Sequence, residues 1–167
     1  MINQSENELS LDEETIRVFV WSVWNFFTKS TGIEPESGAP YLFDNFENSD
    51  YTGIIGVSGI QKGVTMCKGL VDLLLKRQNA GSFFEGISGE QEEEFRIDYA
   101  GEVANIVTGN ARNYLGENFR ISVPVVENRP ETQIDLVEGV NGVVFPISWA
   151  DYRCHLILGL KRNELSA

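Results

Sequence analysis

The segment from residue 92 to residue 115 constrains the fold more than any other part of this sequence. It begins with three glutamates, which suit the positive first turn of a helix, and it is followed by Gly116, a residue typical of helix C-caps. On an ideal helix several of its large apolar residues fall within about 80° of Tyr99. The segment therefore predicts one long helix with a single apolar face. The other members of that face are Phe95, Val103, Ile106, Val107 and Tyr114, together with the amide of Asn110.

The opposite side of this helix collects polar residues. Measured from Tyr99, ideal helical geometry places Arg112 at about 220°, Asn105 at about 240°, Asp98 at about 260° and Glu102 at about 300°. A carboxylate and an amide, one turn apart, thus project from the same face. An asparagine amide can orient a water molecule without titrating, and a neighbouring carboxylate can accept a proton or hold a cationic group.

Two glycines, Gly101 and Gly109, lie beside this polar group at about 200° and 280°. Each glycine inside a helix costs about 0.5–1 kcal/mol relative to alanine. Their presence predicts that something approaches this face closely. The Glu102 and Asn105 pair suits water attack on an electrophile that brings its own activation, such as an acyl phosphate with its metal. It lacks the nucleophile, base and oxyanion donors of a free-standing hydrolase.

The same pattern also fits ordinary solvated residues. The spacing E-x-x-N occurs again at Glu138 and Asn141, in a predicted turn to which we assign no function. Spacing alone therefore favours a solvated helix face, and the helical context and flanking glycines add only modest support for a site.

A first helix is predicted over residues 11–29. Ser10 and Glu13 form a candidate capping box, and Gly32 and Pro35 terminate the pattern. Three further aromatic residues widen the apolar face and indicate burial on more than one side, including burial against a second subunit. The apolar residues at helical spacing are Ile16, Phe19, Val20, Val23 and Phe27, and the three additional aromatics are Trp21, Trp24 and Phe26.

The remaining chain reads mainly as short strands separated by turn residues. Together with the helices they predict an α+β fold, with a largely antiparallel sheet packed with two long helices and one short helix. A single domain spans residues 1–167, with residues 1–9 as a flexible leader. Strands are predicted at 41–46, 51–58, 63–68, 119–126, 132–138, 142–149 and 151–160, the second and third of them as a hairpin, with the short helix at 69–77 and a loop at 81–90.

Composition excludes several classes of function. The formal charge of −12 argues against binding to nucleic acid or to an anionic membrane surface, because both need clustered Lys and Arg. Neither a signal peptide nor a membrane-spanning run is visible, so we expect a cytoplasmic protein with reduced Cys67 and Cys154. Neither cysteine has metal-ligand spacing. Cys154 and His155 point to opposite faces of a strand, whereas a Cys67–His155 pair formed by folding stays open.

Two other residue patterns do not match known ligand-binding motifs. The glycines Gly53, Gly56 and Gly59 lack the spacing of a dinucleotide or phosphate loop, and they indicate strand kinks or close backbone packing. The acidic stretch from Asp44 to Asp50 has Phe46 where a calcium loop needs a ligand, and it reads as a solvated turn.

Residues 98–109, DYAGEVANIVTG, resemble the signature helix of the CheC/CheX/FliY chemotaxis phosphatases. That family has Asp or Ser, then Glu four positions on, then Asn three further. YTGIIGVSG and QKGVTMCKG resemble the paired strands before that helix, and ISVPVV resembles the strand after it. Pro124 matches a downstream proline at a shorter interval than is usual. A single motif copy indicates the CheX branch.

This resemblance implies an α+β phosphatase that acts on a phosphorylated response regulator of the CheY type. Asn105 would orient the attacking water, and Glu102 would engage the active-site lysine of the regulator. The regulator would supply Mg²⁺, so the chain would need no cofactor of its own. Asp98 would position the helix or touch the partner, and the branch is homodimeric. Gly101, Gly109 and Arg112 complete the expected partner-binding surface.

Two other interpretations stay open. The chain could be a non-catalytic module that binds a signalling or flagellar-switch protein through the same face, which predicts binding without any change in phosphoryl lifetime. It could also be a structural dimer with a solvated polar face, which predicts that Glu102 and Asn105 tolerate substitution.

Overall fold

The computed structural model describes residues 11–48, 51–69, 85–136, 138–149 and 152–163. Within these ranges two long helices accompany ten strands. The helices are α1, Glu13–Thr31, and α2, Gly89–Leu115. The strands are β1 Glu36–Ser37, β2 Tyr41–Leu42, β3 Phe46–Glu47, β4 Thr52–Gly59, β5 Gln61–Lys68, β6 Phe119–Ile121, β7 Val125–Glu127, β8 Gln133–Ile134, β9 Val143–Trp149 and β10 Tyr152–Arg162.

The main sheet has eight strands, and its central order is β1-β9-β10-β5-β4-β6. The short strand β2 also pairs with β9. Strand β7 pairs with β4 as β6 does, but along a different part of β4. Strands β3 and β8 form a separate two-stranded sheet. Every recorded pair is antiparallel, from β4 with β5 to β9 with β10. The predicted α+β class with an antiparallel sheet is therefore confirmed.

Both helices cover the same face of the sheet. Strand residues alternate between the two faces, as the two-residue period of a strand requires. Ile55, Cys67 and Leu156 join the core beneath the helices, whereas Met66 and Ile157 belong to a smaller cluster on the other face. The long helix α2 is thus fixed by one buried side, and its other side meets solvent.

Helix α1 begins later than predicted. Its N-cap is Asp12, whose carboxylate accepts a hydrogen bond from the amide of Thr15 at 2.7 Å. Ser10, where the sequence predicts the capping box, lies outside the described residues. Asp12 is favoured because its short carboxylate reaches a free amide of the first turn. Gly32 ends the helix as predicted, with a φ of 73° that suits glycine.

Two predicted strands are interrupted. Residues 41–46 divide into β2 and β3, which pair with different partners. Residues 119–126 divide into β6 and β7, because Pro124 has no amide hydrogen for the ladder. The Ser122 hydroxyl accepts a hydrogen bond from the amide of Gly56 at 2.9 Å and bridges the gap.

The bounds of the other elements differ less from those predicted. The turn between β4 and β5 is Ile60 alone, which is shorter than predicted. The strand expected at 132–138 contracts to β8. The segment predicted as the short helix at 69–77 lies outside the described residues beyond Gly69. Of the loop predicted at 81–90, residues 85–90 are described. Residues 85–88 precede α2, whereas residues 89 and 90 are its first two residues, so the end predicted for the loop is wrong.

Candidate active site on helix α2

Helix α2 begins with a capping box. The Ser88 hydroxyl accepts a hydrogen bond from the Gln91 amide, and the Gln91 side chain accepts one from the Ser88 amide. This cap starts the helix three residues before the predicted Glu92, because it satisfies two backbone amides that the helix leaves free. At the other end Gly116 donates to the carbonyl of Arg112, as predicted for the C-cap.

Small residues form the buried face of α2. This face is rotated by about 100° from the predicted apolar face. Ile106 and Tyr114, which were expected in the core, are instead 37% and 64% exposed. The prediction is wrong because it counted large apolar side chains, whereas the sheet accepts a helix face with little relief. The buried residues are Ala100, Gly101, Val103, Ala104, Val107, Thr108 and Ala111.

The helix lies very close to strand β4. A Cβ atom at Gly53 would lie 2.6 Å from the carbonyl oxygen of Ala100 and 2.7 Å from the Cβ of Ala104. Only glycine fits that contact, which confirms the close backbone packing predicted for the strand glycines. Between helix and strand β5, the buried hydroxyls of Thr65 and Thr108 share a hydrogen bond of 2.9 Å. These contacts fix the rotation of α2 and decide which residues face solvent.

The exposed face carries the residues of the predicted site. Asp98, Glu102 and Asn105 are all exposed. Among the described residues, none hydrogen-bonds to the side chain of Glu102 or Asn105. Residues three apart on a helix are neighbours, with about 5–6 Å between their Cβ atoms. The structure therefore presents a carboxylate and an amide side by side, with their hydrogen-bonding groups available to a partner.

The two helix glycines have different environments. Gly101 is buried, and a Cβ there would lie 3.4 Å from the Cγ of Pro124. The close approach expected at Gly101 is made by the chain's own strand break, and this glycine is not an accessible partner contact. Gly109 is open, with nothing within 4 Å of a Cβ placed on it. Arg112 is exposed, and its Nε donates to the carbonyl of Phe119 at 3.2 Å.

A network near the start of α2 was not found from the sequence. The Tyr51 hydroxyl donates to Glu93, and the Asn128 amide donates to the other oxygen of Glu93 at 2.8 Å. These two hydrogen bonds, with a smaller contribution from the charge of Arg96, lower the pKa of the Glu93 carboxyl. The network ties the helix to the beginning of β4 and the end of β7. No sequence signal distinguishes Glu93 from the glutamates beside it.

The cysteine and histidine residues do not form a second site. Cys67 and Cys154 are both buried beneath the helices. Burial raises the pKa of the Cys67 thiol to about 12, and burial with Cys67 nearby raises the pKa of Cys154. His155 lies opposite Lys68 in the strand register and lines a cavity with Ile157 on the other face. The Cys67–His155 pair left open by the sequence is therefore wrong.

Within the described ranges, no three His, Cys, Asp or Glu side chains are grouped as ligands of a metal ion. In the same part of the chain, no helix combines the length and apolar character needed to cross a bilayer.

Comparisons with known proteins agree with the geometry. The family described as "Chemotaxis phosphatase CheX" matches residues 51–148, which is more than half of the chain. A search of curated proteins finds no significant match. A CheC-like superfamily protein from Shewanella sp. PV-4 is 23% identical over 90% of this chain and 99% of its own, with a TM-score of 0.71.

Two further solved structures share the fold. The chemotaxis protein CheX from Vibrio vulnificus is 22% identical over 89% of this chain and 99% of its own, with a TM-score of 0.69. A CheX–CheY–BeF₃–Mg²⁺ complex from Borrelia burgdorferi is 20% identical, covers 89% of this chain and 98% of its own, and has a TM-score of 0.72. The fold match extends over nearly all of each relative.

Proposed function

The chain belongs to the CheX family of chemotaxis phosphatases, and on that premise we propose that it hydrolyses the aspartyl phosphate of a CheY-type response regulator through Glu102 and Asn105. The observation that carries the residue assignment is the exposed pair on α2. Its carboxylate and amide point to solvent from a helix whose rotation is fixed by the contact with Gly53.

In the proposed reaction, the carbonyl oxygen of Asn105 accepts a hydrogen bond from a water molecule. This hydrogen bond turns the water oxygen toward the phosphorus atom. The water oxygen bonds to phosphorus while the bond between phosphorus and the aspartyl oxygen breaks. The products are inorganic phosphate and the free aspartate of the regulator. An amide suits this role because it orients water without taking a full charge.

Glu102 has a positioning role in this proposal. Its carboxylate pairs with the active-site lysine of the regulator and holds the phosphoryl group near Asn105. Asp98, one turn earlier on the same face, contacts the regulator or supports that placement. Mg²⁺ neutralises charge on the phosphoryl group and enters with the regulator, in keeping with the complex from Borrelia burgdorferi, which contains CheY and Mg²⁺.

The proposal extends to the organisation of the protein. Residues 1–167 form a single CheX-like domain that acts in the cytoplasm as a homodimer, as the CheX branch implies. Sedimentation velocity measures the homodimer directly, and a monomer at all concentrations would contradict that part alone.

The decisive experiment measures the decay of a radiolabelled, phosphorylated CheY-type regulator with the wild-type protein and with Asn105→Ala. Wild type should accelerate the decay, and the variant should lose on the order of 100-fold of that acceleration because the water is no longer oriented. Asn141→Ala is the matched control, since Asn141 is also exposed and lies in the second E-x-x-N pattern.

The control variant should retain the wild-type rate. If Asn105→Ala also retained it, the catalytic assignment would be wrong. Binding of the regulator without any acceleration by the wild-type protein would support the non-catalytic module instead.

A further inference from the structure

A row of residues runs along α2 from the proposed site toward α1. Positions four apart on a helix lie above one another, and Glu102, Ile106, Asn110 and Tyr114 follow that spacing without interruption. Ile106 is 37% exposed and Tyr114 is 64% exposed. Glu102 is therefore the first member of a surface row that continues with the apolar Ile106, the half-buried amide of Asn110 and the aromatic Tyr114. The row turns by about 40° around the helix at each step.

The row ends on an aromatic contact with the other helix. The rings of Tyr114 and Trp21 meet edge to face, with their centroids 4.8 Å apart. Trp21 is 39% exposed, so both rings leave much of their area in solvent. Single exposed apolar residues are common, whereas adjoining ones mark interaction surfaces. We call Ile106, Tyr114 and Trp21 the aromatic ridge.

The aromatic ridge and the proposed site are close enough together to lie within one protein interface. Glu102 and Tyr114 are twelve residues apart, which is about 18 Å along a helix. A standard interface covers about 800 Å² on each partner, which is a disc about 32 Å across. A globular partner that reaches Glu102 is therefore large enough to cover the ridge as well.

The shape of the surface also admits a partner. Gly109 lies between Asn105 and Asn113 on the neighbouring row, and nothing lies within 4 Å of a Cβ placed there. This gap lowers the surface beside the ridge, so a partner can approach the helix backbone between the site and the aromatic rings. Trp and Tyr are the residues most often found at the centres of binding energy in interfaces.

We propose that the aromatic ridge is the docking surface for the response regulator, and that it determines affinity while Glu102 and Asn105 carry the chemistry. This inference rests on the proposed function. A partner that reaches Glu102 and Asn105 also covers Ile106, which follows Asn105 directly and lies one turn beyond Glu102. The ridge is therefore continuous with the face that the regulator must contact, and we assign it to the regulator.

The test measures binding and turnover separately for Tyr114→Ala and for Ile106→Ala. Binding is measured by titrating each CheY-type regulator, activated with beryllofluoride and Mg²⁺, into the protein. Turnover is measured as radiolabelled phosphate released over a range of regulator concentrations. Each variant should raise Kd and KM by about fivefold to tenfold and leave kcat near the wild-type value, because the reacting groups are untouched.

Tyr41→Ala is the matched control. Tyr41 is an exposed tyrosine on strand β2, away from both helices, and it is 52% exposed. It should not change Kd or KM. Trp21 is more deeply packed, so Trp21→Phe is compared with Trp21→Ala, and the ring-preserving variant should recover most of the affinity.

The outcomes separate the two proposals. If wild type binds the activated regulator but does not hydrolyse its phosphate, the phosphatase assignment fails, and weaker binding by the ridge variants still supports docking. Unchanged Kd and KM in all the ridge variants would overturn the docking proposal. Dissociation of a dimer by Tyr114→Ala in sedimentation velocity, with Kd for the regulator unchanged, would assign the ridge to a second copy instead.

Discussion

The buried and exposed faces of helix α2 use glycine and small residues for opposite purposes. On the buried side, Ala100 and Ala104 lie against Gly53, and Gly101 accepts Pro124 from the strand break. On the exposed side, a Cβ placed on Gly109 would meet nothing within 4 Å, so this glycine leaves a gap beside Asn105. The same residue type therefore brings the helix close to the sheet on one side and keeps the surface low on the other.

This difference separates what holds the helix from what the helix presents. Contacts with the sheet set the rotation of α2, and that rotation alone exposes Glu102 and Asn105. Substitutions on the buried side should therefore change stability first and activity as a consequence. Substitutions on the exposed side should change activity or affinity and leave stability nearly constant.

The largest expected effect is on the buried side, at Gly53→Val. A side chain there meets the backbone oxygen of Ala100, which cannot move without lifting the helix. Overpacking of a rigid contact costs about 1–3 kcal/mol or more, so we expect a loss of at least about 2 kcal/mol in the free energy of unfolding. Urea denaturation measures the loss.

Gly56→Ala provides the matched control on the same strand. A Cβ at Gly56 would lie 3.2 Å from the hydroxyl oxygen of Ser122, which is a side-chain atom that can give way. Its cost should stay below about 1 kcal/mol. Equal losses at the two glycines would show that the contact with α2 does not control the packing of this helix.

The second effect lies on the exposed side, at Asn105→Asp. A carboxylate at this position can still accept a hydrogen bond from water, but it brings a negative charge toward the phosphoryl group and repels it. Regulator dephosphorylation should fall on the order of 100-fold, with the unfolding free energy within about 0.5 kcal/mol of wild type. A large loss of stability would mean that Asn105 supports the fold, and the comparison between the two faces would fail.

The two faces also differ in how far the sequence could predict them. The sequence predicted the polar face, because the helical period alone places Asp98, Glu102 and Asn105 on one side of the helix. It did not predict the buried face, because Ala100 and Ala104 have little hydrophobicity and their burial depends on a glycine in a distant strand. Long-range packing of that kind leaves no local signal.

The same reasoning explains the other differences in the fold. The helix caps were predictable to within a few residues, because a cap depends on its immediate neighbours. The break at Pro124 depends on which strand lies beside it, and the Tyr51–Glu93–Asn128 network joins three distant segments. The roles assigned to Glu102 and Asn105 came from the family resemblance, and geometry supplied only their exposure.

A smaller effect is expected at Glu93→Gln, near the start of the helix. Hydrogen bonds from Tyr51 and Asn128 hold the pKa of the Glu93 carboxyl below its ordinary range. The ionised Glu93 carboxylate therefore contributes to the free energy of unfolding above the unfolded-state pKa of about 4.3. This contribution is lost as the pH falls through the lower folded-state pKa. At pH about 7 the variant should lose about 1 kcal/mol of unfolding free energy.

Urea denaturation at several pH values checks this dependence. The stability difference between wild type and Glu93→Gln should be largest near neutral pH and should shrink in acid, where both side chains are uncharged. A difference that stays constant across that range would mean that the network stabilises the helix by packing and not by charge.

The smallest effect sharpens the comparison most, because it sets Gly109→Ala against Gly101→Ala. Alanine favours a helix over glycine by about 0.5–1 kcal/mol, and a Cβ at Gly101 makes only ordinary contact with Pro124. Both variants should therefore raise the free energy of unfolding by similar small amounts. Only Gly109→Ala places its methyl group in the gap beside Asn105, so only this variant should raise the KM for the regulator, by a few-fold. Equal KM values for the two variants would show that the regulator does not approach the helix at Gly109.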